Sequence, residues 1–503
     1  MNRMGVAWCE LGLIVAITLL AFALRVYRLG ATGFYYDEVF SLAIGTLPLP
    51  DLLIEVLDDR NTPPGYFLLG HIWYGIGRAE FVVRYLSIIL GVLAVPAIYR
   101  LGKVVADARL GLLVAALLAI SPFHIAHSQI ARMYSMVTLF AIGANYFFLR
   151  LLAQGRARDA LGYAMLTACG LYTHYFHAWI ILAQMVFVVL ARAKFHAVLT
   201  RWLVALIGAG ALFAPWFLVF LAAGGTTQAR IAWIPPVNLT DLPLTLFAMS
   251  LGVTSLVNHP IFFFVPGAFV ALALGGWMFA RQTAARARAD FLGIWFLLPV
   301  ILVFLISFDL PIANKRSVYA DRYFIGELPA LLLLIALGIR ALWQRRPRVT
   351  AVVALALLAA MLFALQVHFH DPADAPIDWP RSVAYLRAQA DPARDVLTIY
   401  AGVILELAYY EPGITRRVVV ELPSAQSPSA FDQQFAQFDP APTHVWLVVP
   451  TGSSTGHGFP LSQDEQRAMA FADPLKRALD QRFTVEEEKL FSNVFIAKYR
   501  VVK

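Results

Sequence analysis

The sequence predicts a polytopic α-helical membrane protein, with about 11 transmembrane helices and further helices lying on the outer surface, followed by a small C-terminal α/β soluble domain. Three observations carry that reading. Of 503 residues, 60% are hydrophobic and only 14% are charged. The apolar residues fall into repeated runs long enough to cross a bilayer, and short basic clusters separate every second pair of runs. After residue 370 the chain turns more charged, with "DPADAPIDWP" as a Pro- and Asp-rich linker.

The expected crossings are 9–29, 81–101, 109–122, 134–152, 160–173, 176–192, 201–222, 259–280, 291–308, 322–343 and 349–367. The first is read as a retained signal anchor, because its apolar run outlasts a usual signal-peptide core and continues to Leu29. Connectors 100–109, 154–159, 191–201, 281–290 and 340–348 are basic and alternate with connectors that are not, so they are read as the cytoplasmic loops. The net charge of +8 is explained by that topology, and nucleic acid is not an expected partner. Cys9 and Cys169 lie in apolar segments and are read as structural.

The remaining connectors, 30–80, 123–133, 174–175, 223–258 and 309–321, then face outward with the C-terminal domain. Of eleven histidines only His196 falls on the cytoplasmic side, while His124, His127, His174, His177, His259, His368 and His370 sit at or near outer ends. That asymmetry marks the outer face as the polar working face. The spans 109–122 and 160–173 are short for a crossing and leave a recess, which the apolar stretches 65–77 and 242–257 cover as surface helices. In the soluble domain, 379–390 and 461–480 read as helices, whereas 395–401, 416–422, 443–450 and 493–502 read as strands.

Chemistry-bearing residues concentrate in the outer connectors. Asp37 and Glu38 follow Phe34, Tyr35 and Tyr36. A carboxylate partly desolvated by aromatic rings is a suitable general base for a hydroxyl, with its neighbour orienting the acceptor; helix capping is the competing explanation. In "DDRNTPPGYFLLGHIW", Pro63 and Pro64 stiffen a turn that presents Asp58, Asp59, Arg60 and Asn61, a candidate site wall. Arg132, beside Gln129 and Tyr134, and Lys315, Arg316 and Arg322, beside Tyr319 and Tyr323, are cations on the side where topology does not place them. Guanidinium groups there suit a phosphate at the interface; an ion pair with the carboxylates and ordinary lipid anchoring are the alternatives. His174, Tyr175 and His177 form a polar aromatic cluster, of which His174 and Tyr175 extend the wall; metal ligation by the histidines, backbone satisfaction and an ordinary aromatic belt are the open readings.

In their order, "YYDEVFSL", "TPPGYFLLGHIW", "EFVVRYLSIILGVLAVPAIYRLGK", "SPFHIAHSQIARMYSM", "LYTHYF" and "DRYFIGELPALLLL" resemble the GT-C glycosyltransferases. The likeness is to the bacterial family 39 type, related to protein O-mannosyltransferases and lipid A aminoarabinose transferases. It implies a transmembrane catalytic domain over 1–370 and an extracytoplasmic domain over 371–503 in the bacterial cytoplasmic membrane. It also implies inverting transfer of a hexose or pentose from a polyprenyl-phosphate donor to a lipid, glycan or protein acceptor. Asp37 then matches the family's base and Glu38 its neighbour, while Arg132 with Tyr134 and Arg322 with Tyr323 match elements near the donor phosphate. Asn61 and Thr62 depart from the His that many relatives place before the double proline. No cofactor is certain, and a divalent metal is compatible with the resemblance. A transporter or flippase for a lipid-linked saccharide is the rival class, disfavoured because charges cluster at one face rather than through mid-span positions.

Overall fold

The computed structural model describes residues 3–31, 33–224, 234, 237–252, 255–308, 317–370, 378–391, 393–400, 404–411, 418–421, 442–450, 476–477, 479–491 and 494–501. Before residue 371 the helices are α1 (Arg3–Val26), α2 (Tyr36–Gly45), α3 (Leu49–Asp59), α4 (Gly65–Trp73), α5 (Glu80–Val105), α6 (Ala108–Ile120), α7 (Pro122–Ser128), α8 (Tyr134–Gln154), α9 (Ala157–Thr173), α10 (His177–Leu190), α11 (Arg192–Ala222), α12 (Asp241–Leu251), α13 (Phe264–Ala280), α14 (Arg286–Ser307), α15 (Leu328–Arg345) and α16 (Pro347–His370). Every expected crossing falls on one of them. Seven helices among the described residues are each long and apolar enough to span a membrane, or eight if the bent pair α6 and α7 counts as one. The helices α9, α10 and α13, of 17, 14 and 17 residues, are shorter than the roughly 20 a full crossing needs.

Two compact units divide the chain: Met1–Leu29 with Ile44–His368, and Gly30–Ala43 with Phe369–Lys503. In the first, α11 and α16 expose apolar side chains such as Val204, Ile207, Leu218, Val352 and Leu355, as lipid-facing helices do. Inside the bundle, Tyr163 donates to Gln184 at 2.6 Å and Gln184 donates to Asn145 at 2.8 Å, a polar link across α9, α10 and α8. On α13 and α15, a Cβ on Gly276 or Gly338 would lie 2.3 Å from Leu334 O or 2.0 Å from Leu272 O. Only glycine permits that backbone approach.

The basic connectors also finish helices. Asp107 caps α6 by accepting the Leu110 N–H at 3.0 Å and pairs with Arg340 at 2.5 Å. Arg288 donates to the carbonyls of Val104 and Val105 at 2.7 and 3.0 Å, at the end of α5.

The connector 30–80 holds more regular structure than its composition predicts, since α2 and α3 precede the expected α4. Pro48 and Pro50 stand at the N-cap and within the first turn of α3, where a missing N–H costs nothing. Leu52 and Val56, four residues apart, bury its inner face. A second break separates α6 from α7, bent by 59°, with Pro122 in the first turn of α7 and Ser121 accepting the His124 N–H at 3.4 Å. The expected surface helix over 242–257 is present as α12.

The second unit contains α17 (Trp379–Gln389), β1 (Asp395–Tyr400), α18 (Ile404–Tyr410), β2 (Val418–Glu421), β3 (His444–Pro450), β4 (Thr484–Phe491) and β5 (Val494–Arg500). The sheet order is β2-β1-β3-β5-β4, with β2, β1 and β3 parallel and the other pairings antiparallel. Its core packs Trp379, Val383 and Leu386 of α17 and Leu407 of α18 against Leu397, Ile399, Trp446 and Ile496. The four expected strands are found as β1, β2, β3 and β5. The exposed edge strand β4, "TVEEEKLF", was not expected because charges occupy half of each face. Of the expected helix over 461–480, residues 461–475 and 478 lie outside the described residues, and 476–477 with 479–480 are helical.

Candidate functional site

The acidic pair begins α2, in the second unit. Tyr35 is the cap residue, so Asp37 and Glu38 occupy the second and third positions of the first turn. Glu38 is fully buried and its Oε2 accepts the Tyr35 N–H at 3.1 Å, the return bond of a capping box. Capping, left open by the sequence, therefore accounts for the second carboxylate. Asp37 is half-buried, and its backbone carbonyl accepts the Ser41 hydroxyl at 2.8 Å. Tyr36 is 36% exposed and stacks on Phe40 with ring centroids 6.1 Å apart.

In the first unit, two cations distant in sequence converge. Arg132 precedes α8, and Arg322 lies in the 3₁₀ turn Asp321–Gly326 before α15; both side chains are buried. Both charges act on His174, in the three-residue gap between α9 and α10. Burial, together with the Arg132 and Arg322 charges, holds its imidazole down at about 3, so the ring is neutral through the physiological range. Its Nδ1 accepts the Phe176 N–H at 3.1 Å, which puts the ring proton on Nε2. Tyr323 packs against His174 and Phe176 with centroids 4.9 Å away in each case, and the Arg322 guanidinium lies 5.9 Å from the Tyr323 ring. Asp321 accepts the Arg322 N–H at 2.7 Å; burial raises its carboxyl while Arg322 pulls it back.

Arg132 is held from behind by two hydroxyls that sequence reasoning missed. Ser87 of α5 donates to the Arg132 carbonyl at 3.1 Å, and its oxygen lies 2.9 Å from the Tyr66 hydroxyl of α4. The single Ser87 proton is committed to Arg132, so Tyr66 is the donor of the second bond. Only the Tyr66 position within the expected surface helix hinted at this link. Tyr134, the first residue of α8, sets its ring edge-on to His127 at 5.0 Å. Gln129 donates to the Arg25 and Tyr27 carbonyls at 3.0 and 2.9 Å and meets His368 Nε2 at 3.0 Å, fixing the loop to α1 and α16.

The site-wall residues form a neighbouring group. Asp59 accepts from the Asn61 backbone at 3.3 Å and from its amide at 3.0 Å, closing the turn before the double proline. Arg60 ends α3 in the left-handed region, with φ 58°. Tyr175 accepts the Trp216 indole N–H at 3.2 Å, and burial with the added Asp59 charge pushes its phenol up to about 12. His177 lies against Gly170 in the packed bundle. Among the described residues, no group of three or more His, Cys, Asp or Glu is placed to hold a metal ion. Lys315 and Arg316 lie outside the described residues.

Residues 61–219 match a family model described as dolichyl-phosphate-mannose-protein mannosyltransferase. That stretch contains Arg132, Tyr134, His174 and Tyr175; Asp37, Glu38, Arg322 and Tyr323 lie outside it. No curated protein sequence matches the chain. Among solved structures, ArnT from Cupriavidus metallidurans in the apo state aligns with a TM-score of 0.61 at 13% identity, covering 97% of this chain and 98% of that one. ArnT from the same organism bound to undecaprenyl phosphate gives 0.58 at 12% identity over 97% and 98%. The oligosaccharyltransferase AglB from Archaeoglobus fulgidus, in complex with an inhibitory peptide and a dolichol-phosphate, gives 0.56 at 15% identity over 98% and 74%. The chain has the GT-C membrane fold, with a C-terminal sheet domain.

Proposed function

We propose that the protein is a GT-C glycosyltransferase that moves a sugar from a polyprenyl-phosphate donor to a hydroxyl-bearing acceptor at the outer face of the cytoplasmic membrane, with inversion. The observation that carries this reading is the convergence of Arg132 and Arg322 on a neutral His174. Two guanidinium groups gathered in the expected outer connectors suit an anionic phosphate, which arginine binds bidentately. The family-model match and the fold shared with an undecaprenyl-phosphate-bound ArnT support the same donor class.

In this reading Asp37 takes the proton of the acceptor hydroxyl as its oxygen attacks the anomeric carbon and the bond from that carbon to the phosphate oxygen breaks. The lipid phosphate leaves with the bonding electrons. Arg132 and Arg322 neutralise the charge that develops on it, and Nε2–H of His174 is a donor that adds no charge of its own. With the phosphate so neutralised, no separate general acid is required. Lys315 and Arg316 are proposed to add to the donor-binding charge, and Tyr36, Asp59, Arg60 and Tyr175 to shape the site. Glu38 supports Asp37 through the cap of α2.

The test is transfer by the purified full chain in detergent, given a panel of radiolabelled polyprenyl-phosphate sugars and a bacterial membrane extract. A labelled acceptor formed with one donor, and lost in Asp37→Asn, is expected. Absence of transfer with every donor, or full activity in Asp37→Asn, would overturn the assignment.

A further inference from the structure

The seven-residue helix α18 is where the C-terminal domain reaches the acidic segment. Its Leu407 is buried in the domain core, and Tyr410 packs against the same cluster. From that anchor the Tyr410 hydroxyl accepts the Phe34 N–H at 2.8 Å, and the Tyr409 ring meets Phe34 edge-on at 4.9 Å. Phe34 is itself fully buried and lies three residues before Asp37. The backbone carrying Asp37 is thus pinned to the core of the soluble domain. One turn earlier on α18, Glu406 is 1% exposed and its Oε2 has no hydrogen-bond partner.

We propose that α18 belongs to the reaction centre: Tyr410 fixes the backbone that presents Asp37, and Glu406, buried one turn away on the same helix, is a positioning residue paired with Asp37. This rests on Asp37 being the base. Burial first, and then the Asp37 charge, raises the Glu406 carboxyl to about 8. On α17, which packs on α18, Arg387 is paired with Glu411 and Arg381 with Asp378, so Asp37 is the charge acting on Glu406. Ionisation of Glu406 would place an unpaired charge in its buried position, so it keeps its proton at neutral pH. Glu406 stays neutral while Asp37 accepts the acceptor's proton, and the domain sets the position of the base.

The experiment is infrared difference spectroscopy on the full-length protein in detergent across pH 6 to 10, with wild type, Glu406→Gln and Asp37→Asn, alongside transfer assays. Wild type should show a protonated-carboxyl band that titrates near the alkaline end of neutrality and is missing in Glu406→Gln. Because coupling is reciprocal, Asp37→Asn should lower the midpoint of that band by about half a pH unit or more. Tyr410→Phe, which loses the acceptor for Phe34 N–H, should reduce kcat at least threefold with donor KM unchanged. No band attributable to Glu406, or an unshifted midpoint in Asp37→Asn, would overturn the pairing. Unaltered kcat in Tyr410→Phe would overturn the brace. If Asp37→Asn transfers sugar at the wild-type rate while the band shifts, the base assignment fails and the carboxyl pairing stands.

Discussion

Glu38 turns back on its own helix to accept the Tyr35 N–H at 3.1 Å, so within the acidic pair it is Glu38 that serves as the cap. Loss of such a cap costs about 1 kcal/mol. Glu38→Ala should therefore lower the thermal midpoint and, by loosening the first turn of α2, reduce transfer. Glu38→Gln keeps an acceptor oxygen and should restore both. Asp37→Asn should lower kcat by roughly 100-fold or more, the usual worth of a general base, with the midpoint little changed. Calorimetry and transfer assays on the three variants check the division. A Glu38→Ala protein as stable as wild type would remove the capping role.

Acid sensitivity follows from His174. Its folded-state pKa, about 3, lies below the ordinary imidazole value, so the unfolded chain takes up a proton below about 6.5 that the folded chain refuses. Its contribution to stability is complete above that value and is lost as pH falls toward the folded pKa. The loss is about 1.4 kcal/mol per pH unit. His174→Gln removes this titration, so the gap in thermal midpoint between wild type and variant should narrow from pH 7.5 to pH 5. A gap independent of pH would refute the buried neutral imidazole.

Arg25 supports the break between α6 and α7. It is fully buried, donates to Ala119 O at 3.0 Å and to Leu118 O at 3.1 Å, and its Nη2 lies 2.7 Å from His124 Nδ1. Arg25→Met leaves two carbonyls of the bent pair without that donor, at about 1 to 3 kcal/mol for each buried group. Arg25→Lys should recover only part of the loss, because an ammonium lacks the fork that bridges two carbonyls. Thermal unfolding in detergent separates the three proteins, and an Arg25→Met protein matching wild type would show that another donor serves those carbonyls.

Hydropathy made the long apolar helices legible, because lipid forces long runs of apolar side chains. Charge parity also singled out Arg132 and Arg322 as cations in or next to connectors expected to face outward. It could not bring them together, since 190 residues separate them and only the return of the chain at His174 does so. The short helices α3, α7 and α18 escaped notice for a different reason. Each is defined by caps, prolines and tertiary packing, and none has enough turns to display a period. Glu406 was silent for the same cause, for nothing local in "ILELAYY" distinguishes a buried carboxyl from a solvated one.

The two guanidinium groups provide the sharpest test of donor binding. If each makes a charge-assisted bond to one phosphate, worth roughly 1.5 to 3 kcal/mol, then Arg132→Ala or Arg322→Ala should raise the donor KM roughly 10- to 100-fold, with a smaller effect on kcat at saturation. Groups acting on one ligand are coupled, so the double variant should lose less affinity than the two single losses added together. Anchoring to bulk lipid predicts something else: an unchanged donor KM, with vesicle binding weakened in proportion to the charge removed. Titration of a radiolabelled polyprenyl-phosphate sugar against the four proteins distinguishes the two, because only a shared phosphate makes the two substitutions depend on one another.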